Sequence, residues 1–138
     1  MTLPSIESFS FYIHQDSIGI TQTSLIHLRN EIINRFHHHI LVFKYTYNYN
    51  HPAIVGFGIV DFTTHEIILC GNGFREDRRG EGGAGLIKAE RILNALDIPA
   101  DYEFFISSMQ PKKEEIINAL KPVDKTWSIV PAKINPQY

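Results

Sequence analysis

The chain has 138 residues, with 13 Lys and Arg against 15 Asp and Glu and a pI near 6.4. That length suits one domain that buries roughly two thirds of its unfolded surface, and the lone Cys70 excludes an internal disulfide. Near-neutral charge argues against a general nucleic-acid coat. The start Met-Thr-Leu-Pro-Ser-Ile-Glu lacks the parts of a signal peptide and no apolar run reaches membrane-spanning length, so a cytoplasmic protein with no membrane partner is expected.

Phe9 to His14, aromatic and β-branched, predicts a first strand, and Gln-Asp-Ser-Ile-Gly a turn. Thr21 and Thr23 are candidate N-cap hydroxyls for a helix whose apolar face is Leu25, Leu28, Ile32 and Phe36. Ile40 to Tyr47, Ile54 to Asp61 and Glu66 to Cys70 read as three strands of an antiparallel meander. Polar Asn48 to Pro52 joins the first two, and Phe-Thr-Thr-His the second two. Gly56 and Gly58 inside the middle strand signal a bulge or the close approach of another group.

Six of the nine glycines fall between Gly71 and Gly85, together with Arg75, Arg78 and Arg79, directly before a helical pattern that buries Leu86, Ala89, Leu93 and Leu96. Glycine leaves backbone N–H groups unshielded, and the first turn of a helix has N–H groups without intrahelical partners. With the helix dipole, this is a cradle for an anionic small molecule such as a phosphate. Glu76, Asp77 and Glu81 offset part of the arginine charge. Pro99 ends this helix, Tyr102 to Ser107 reads as a strand, Pro111 to about Leu120 as a last helix, and Trp127 to Val130 as a final strand. The order is β-α-β-β-β-α-β-α-β, a single α+β domain on a mixed sheet.

Other reactive residues have bland readings beside their chemical ones. On a strand only His37 and His39 of the triple histidine share a face, and no further ligand is in reach by spacing, so a solvated corner is expected and no metal site. Cys70 follows Ile67-Ile68-Leu69 and suits a buried small hydrophobe. Tyr45, Tyr47 and Tyr49, with Phe43 before them, suit a core-facing aromatic ladder.

Arg79-Gly80-Glu81-Gly82-Gly83-Ala84 resembles the signature of the GNAT superfamily of acyl-coenzyme A-dependent N-acyltransferases, and the element order is similar. The resemblance implies acetyl-CoA as cosubstrate, held by Arg79 and the amides of Gly80, Gly82, Gly83 and Ala84, with the strand end at Cys70 to Asn72 along its pantetheine arm. The acetyl group would pass to an amine, and Glu66, His65 or Asp61 would be candidate bases. A second resemblance, through Asn50-His51-Pro52-Ala53-Ile54-Val55-Gly56-Phe57-Gly58 and the spacing to Ile106, is to the ribonuclease H-like fold. The carboxylates of that family would stand where this chain has Tyr45, Gly85 and Ser107 or Ser108. This implies a degenerate, binding-only or inhibitory member, whose Arg/Gly loop meets nucleic acid, a nucleotide or a protein partner.

Overall fold

The computed structural model describes residues 5–125. The strands are β1 (Ser10–Ile13), β2 (Ile40–Tyr47), β3 (Ile54–Asp61), β4 (Glu66–Arg75) and β5 (Tyr102–Phe105). The helices are α1 (Thr21–Asn34) between β1 and β2, α2 (Gly80–Ala95) after β4 and α3 (Lys113–Leu120) after β5. Through α3 this is the order read from the sequence, while the strand expected at Trp127 to Val130 lies outside the described residues. The fold is α+β, with one mixed five-stranded sheet in the spatial order β1-β4-β3-β2-β5. β2, β3 and β4 form the expected antiparallel meander, β1 joins β4 in parallel, and β5 joins β2 in parallel. No helix among the described residues is long and apolar enough to cross a membrane.

Alternation of side chains gives the sheet two buried faces. Val42, Phe57, Ile59, Ile68, Cys70 and Phe74 meet Leu28 and Ile32 of α1 and Leu86, Ala89 and Leu93 of α2. On the other face Phe43, Tyr45, Ile67 and Leu69 meet Ile6, Phe9 and the α3 residues Ile116, Ile117 and Leu120. The meander is therefore covered on both sides, which is why β3 is buried along its whole length.

Gly56 and Gly58 answer to the second face. Tyr45 pairs with Gly56 and Phe43 with Gly58, and a Cβ on either glycine would collide with the facing ring. Both rings are buried, so this half of the aromatic ladder belongs to the core, whereas Tyr49 is exposed. The β3–β4 register also slips on either side of Phe57, so the bulge and the close approach expected of these glycines are both present.

Three sequence expectations need correction. β4 continues five residues past Cys70, so Gly71 and Gly73 lie in a strand and not in a loop. Their missing side chains admit α1: a Cβ on Gly71 would strike Ser24 and Ser17, one on Gly73 the backbone of Ile20 and Thr21, and one on Gly85 the methyl of Thr21. Thr21 and Thr23 do not cap α1, whose N-cap position is Ile20. Their hydroxyls donate instead to the carbonyls of Gly73 (2.5 Å) and Asp16 (3.0 Å), tying the helix start to β4 and to the preceding turn. Phe36 falls beyond the end of α1 and is exposed, because the helix stops at Asn34 and its last buried apolar residue is Ile32.

Candidate functional site

The connection between β4 and α2 is short, Glu76 to Arg79, and its geometry follows from residues with special backbone angles. Arg78 and Gly80 have φ of +61° and +62°, a region that glycine enters freely and arginine enters at a cost. The Asp77 carboxylate accepts from the Arg79 amide at 3.1 Å. A Cβ on Gly83 would collide with the backbone of Arg78, so glycine there lets the loop fold against the first turn of α2.

The first described hydrogen bond of α2 runs from the Gly83 amide to the Arg79 carbonyl at 2.9 Å. The amides of Gly80, Glu81 and Gly82 precede that ladder, as the first turn of any helix requires. Of the amides expected to cradle an anion, Gly83 and Ala84 lie within the helical ladder, and Gly80 and Gly82 precede it.

The three arginines divide into different roles. Arg78 is committed: its Nη1 and Nη2 donate to Oε1 and Oε2 of Glu90, about three turns along α2 at 3.6 residues per turn. That contact holds the Glu90 carboxyl below its ordinary value, first through the Arg78 hydrogen bonds. Arg75 lays its stem over Gly82, where an added Cβ would come within 2.5 Å of Arg75 Cγ. Its Nη1 is buried and has no hydrogen-bond partner among the described residues. Arg79 is exposed. Away from this corner, a cleft of about 640 Å³ lies along the C-terminal end of α2, lined by Lys44, Phe57, Glu90, Asn94, Asp97 and Asp101.

The residues expected along a pantetheine arm are engaged elsewhere. Cys70 is buried, and burial pushes its thiol pKa up, away from reactivity. The Asn72 side chain accepts from the Gly19 amide at 2.7 Å and donates to the Met109 carbonyl at 2.8 Å. Gly73 accepts at its carbonyl from Thr21 and donates its amide to Ser24 Oγ at 3.1 Å. β4 is flanked by β1 and β3, and β5 stands at the opposite edge of the sheet beside β2.

The candidate bases are not brought to the glycine corner. His65 and Glu66 stand at the start of β4 and Arg75 at its end, so a ten-residue strand, roughly 30 Å at about 3.3 Å per residue, separates them. His65 is an exposed turn residue at φ +60°, with its ring against Phe9. Glu66 Oε1 accepts from Thr64 Oγ1 at 2.6 Å and Arg35 Nη1 at 3.2 Å. Asp61 is fully buried. Its Oδ2 accepts from Arg35 Nη1 and His38 Nδ1, both at 2.7 Å, and its Oδ1 from the Thr63 and Thr64 amides at 2.9 and 3.0 Å. Burial alone would raise the Asp61 pKa, but these donors reverse the sign and hold it below its ordinary value.

Of the triple histidine, then, it is His38 that is drawn into a network, and His37 that takes the turn at φ +71°. The network continues through Arg35 Nη2 to Glu31 Oε1 at 3.3 Å, and from Glu31 Oε2 to His14 Nε2 at 2.6 Å. His14, Asp16 and His27 converge beyond it. Sequence reasoning missed these residues because they are split between the turn after β1 and α1. The local traces were the His14-x-Asp16 spacing and the four-residue step from His27 to Glu31, which puts both on one helix face.

At the positions where the ribonuclease H resemblance would put carboxylates, Tyr45 is buried under α3 and Gly85 is packed on Thr21. Ser107 Oγ donates to Glu115 at 2.8 Å. No family model, curated protein or solved structure matches this chain.

Proposed function

We propose that this chain is a binding module with a degenerate ribonuclease H-like core, which holds a phosphate group of its ligand between Arg75 and the first turn of α2. The observation that carries this reading is the Nη1 of Arg75, buried and without a hydrogen-bond partner among the described residues, on a side chain whose stem lies over Gly82. A guanidinium at a helix N-terminus puts like charges together, and leaving a buried donor unpaired costs about 1–3 kcal/mol. A phosphate oxygen reaching that nitrogen would satisfy it, and the amides of Gly80 and Gly82, which precede the helical ladder, would be further donors at the same helix start. Arg79, exposed at the same corner, would add a second cation.

The core assignment is supported by strand order. Three antiparallel strands followed, after a helix, by a fourth that pairs in parallel with the first is the arrangement the ribonuclease H resemblance implies, and β4-β3-β2-β5 has it. β1 is then an addition on the β4 edge. Tyr45, Gly85 and Ser107 offer no carboxylate for a two-metal phosphodiester site, which favours binding over cleavage. The acyl-transfer alternative would use the same amides. It also needs free main chain near Cys70 to Asn72 and a base near the loop, and neither of those requirements finds support here.

Thermal melting with pyrophosphate, ADP, acetyl-CoA and a short single-stranded RNA tests the reading. A ligand that binds only the folded state at a hundred times its Kd raises stability by about 2.7 kcal/mol. We expect pyrophosphate and ADP to raise the Tm and Arg75→Met to abolish the rise. Binding of RNA with a steep salt dependence would identify the phosphate as part of a polynucleotide. Acetyl-CoA binding with transfer to an amine would restore the acyltransferase, and no shift with any of the four at millimolar concentration would remove the anion site.

A further inference from the structure

We propose that His14, Asp16 and His27 form a binding site for a divalent transition-metal ion, with Zn2+ the ion that this donor set suits. The three residues each offer one ligand atom, and these atoms all lie within 4.8 Å of one another. Tetrahedral zinc with bonds near 2.0–2.1 Å holds its donors roughly 3.3 Å apart, so the set has to close by no more than about 1.5 Å to share one ion. Two imidazoles with one carboxylate is the donor chemistry of zinc rather than of magnesium or calcium, which prefer oxygen.

The backbone positions these groups before any ion arrives. β1 ends at Ile13, and the His14 amide donates to the Leu69 carbonyl at 3.1 Å, so β4 fixes where that ring begins. A 3-10 turn over Gln15–Ser17 swings Asp16 back toward α1, and Thr23 Oγ1 holds the Asp16 carbonyl at 3.0 Å. His27 projects from the second turn of α1. Its Nε2 lies 3.1 Å from both Asp16 oxygens, and its ring is stacked on that of His14 at a centroid distance of 3.8 Å.

Outside this set stands the carboxylate that a metal-bound histidine commonly requires. Glu31 Oε2 lies 2.6 Å from His14 Nε2, which leaves Nδ1 as the nitrogen His14 has to offer a cation. Glu31 is a positioning residue, and its other oxygen is held by Arg35, itself anchored on buried Asp61. The Asp16 side chain is 63% exposed, so the fourth coordination position opens to water.

The test is a Zn2+ titration of the full chain after chelation and removal of the chelator, followed by calorimetry, with Co2+ absorption as a spectroscopic readout of four-coordinate geometry. The triple histidine is an obvious competitor, so the background for every measurement is a chain carrying His37→Ala and His39→Ala, which leaves the Asp61 partner His38 in place. We expect one Zn2+ per chain in that background, at least about tenfold weaker binding with His27→Gln and with Asp16→Asn, and about tenfold weaker binding with Glu31→Gln. Asp16 is exposed, so its variant tests the site even if His27→Gln disturbs folding, and a melting curve of each variant separates the two effects. Zn2+ affinity unchanged by Asp16→Asn and by a folded His27→Gln would overturn the proposal, as would loss of all Zn2+ binding in the His37→Ala, His39→Ala background.

Discussion

At the α2 corner, positive charge is left incompletely matched, with Arg75 Nη1 buried and unpaired and Arg79 exposed. Along α1 the opposite holds: Arg35 alone reaches Asp61, Glu66 and Glu31, at 2.7, 3.2 and 3.3 Å. A network saturated in charge in this way is an anchor, because each cation already has an opposite partner and an external ion has little to add, even though Arg35 Nε is buried without a hydrogen-bond partner among the described residues. An unsaturated corner is where a ligand has the most to contribute, since it removes a cost that the protein bears alone. The His14, Asp16 and His27 group lies between these cases, tied to the saturated network through Glu31 and open to solvent through Asp16.

The sharpest test of the anchor is Asp61→Ala. Removing one partner of a buried pair typically costs about 3–5 kcal/mol because the other charge is left uncompensated. Here His38 and two amides lose their acceptor and Arg35 loses one of three carboxylates, so we expect a loss within that range in denaturant melts. A loss under about 1 kcal/mol would show that the network is dispensable. Asp61→Asn should separate charge from shape through pH. The Asp61 carboxyl is held below its ordinary value of 3.8, so the stability it adds is complete above that value and is lost as pH falls through it toward the folded-state pKa. The variant should therefore be less stable than the parent at neutral pH and converge with it in acid, and parallel curves across that window would contradict the assignment.

Glycine substitutions sharpen the corner itself by dividing packing glycines from ligand-facing ones. Gly73→Ala would drive a Cβ into the Ile20 and Thr21 backbone, which cannot rotate away, and should cost about 1–3 kcal/mol in thermal melts. Gly80→Ala meets no atom within 4 Å and bears only the cost of φ +62°, about 1 kcal/mol. If both cost the same, the distinction drawn between them fails.

The same division explains what could be read from the residues alone. β2 was legible to the residue by its alternation and β3 as an apolar run bounded by polar turns, and Leu28, Leu86, Ala89 and Leu93 were legible as core by helical spacing. β4 was cut short at Cys70 because Gly71-Asn72-Gly73 has the composition of a loop, whereas its glycines serve a helix that lies about fifty positions earlier. That reason is tertiary, and nothing local encodes it. The order of strands was illegible for a similar cause: β1 and β5 are four residues each and attach in parallel to strands remote in sequence. The corner residues Arg75, Arg79, Gly80 and Gly82 were found because the motif is a contiguous run. His14 and Asp16 lie in the turn after β1 and His27 and Glu31 on α1, and so the group went unseen.

The smallest effect distinguishes the arginines. Arg75→Met keeps an unbranched stem over Gly82 and removes the donor that has no partner, so the variant should be at least as stable as the parent, by up to about 1 kcal/mol. Arg78→Met breaks an exposed pair with Glu90, and such pairs contribute little, so its melting curve should barely move. In phosphate binding the two should diverge, with Arg75→Met losing the ligand and Arg78→Met keeping it. A residue whose removal strengthens the fold and abolishes binding is there for the ligand. If Arg75→Met instead weakens the fold and leaves binding intact, then the buried nitrogen has a structural partner in solution, and the corner is as saturated as the network along α1.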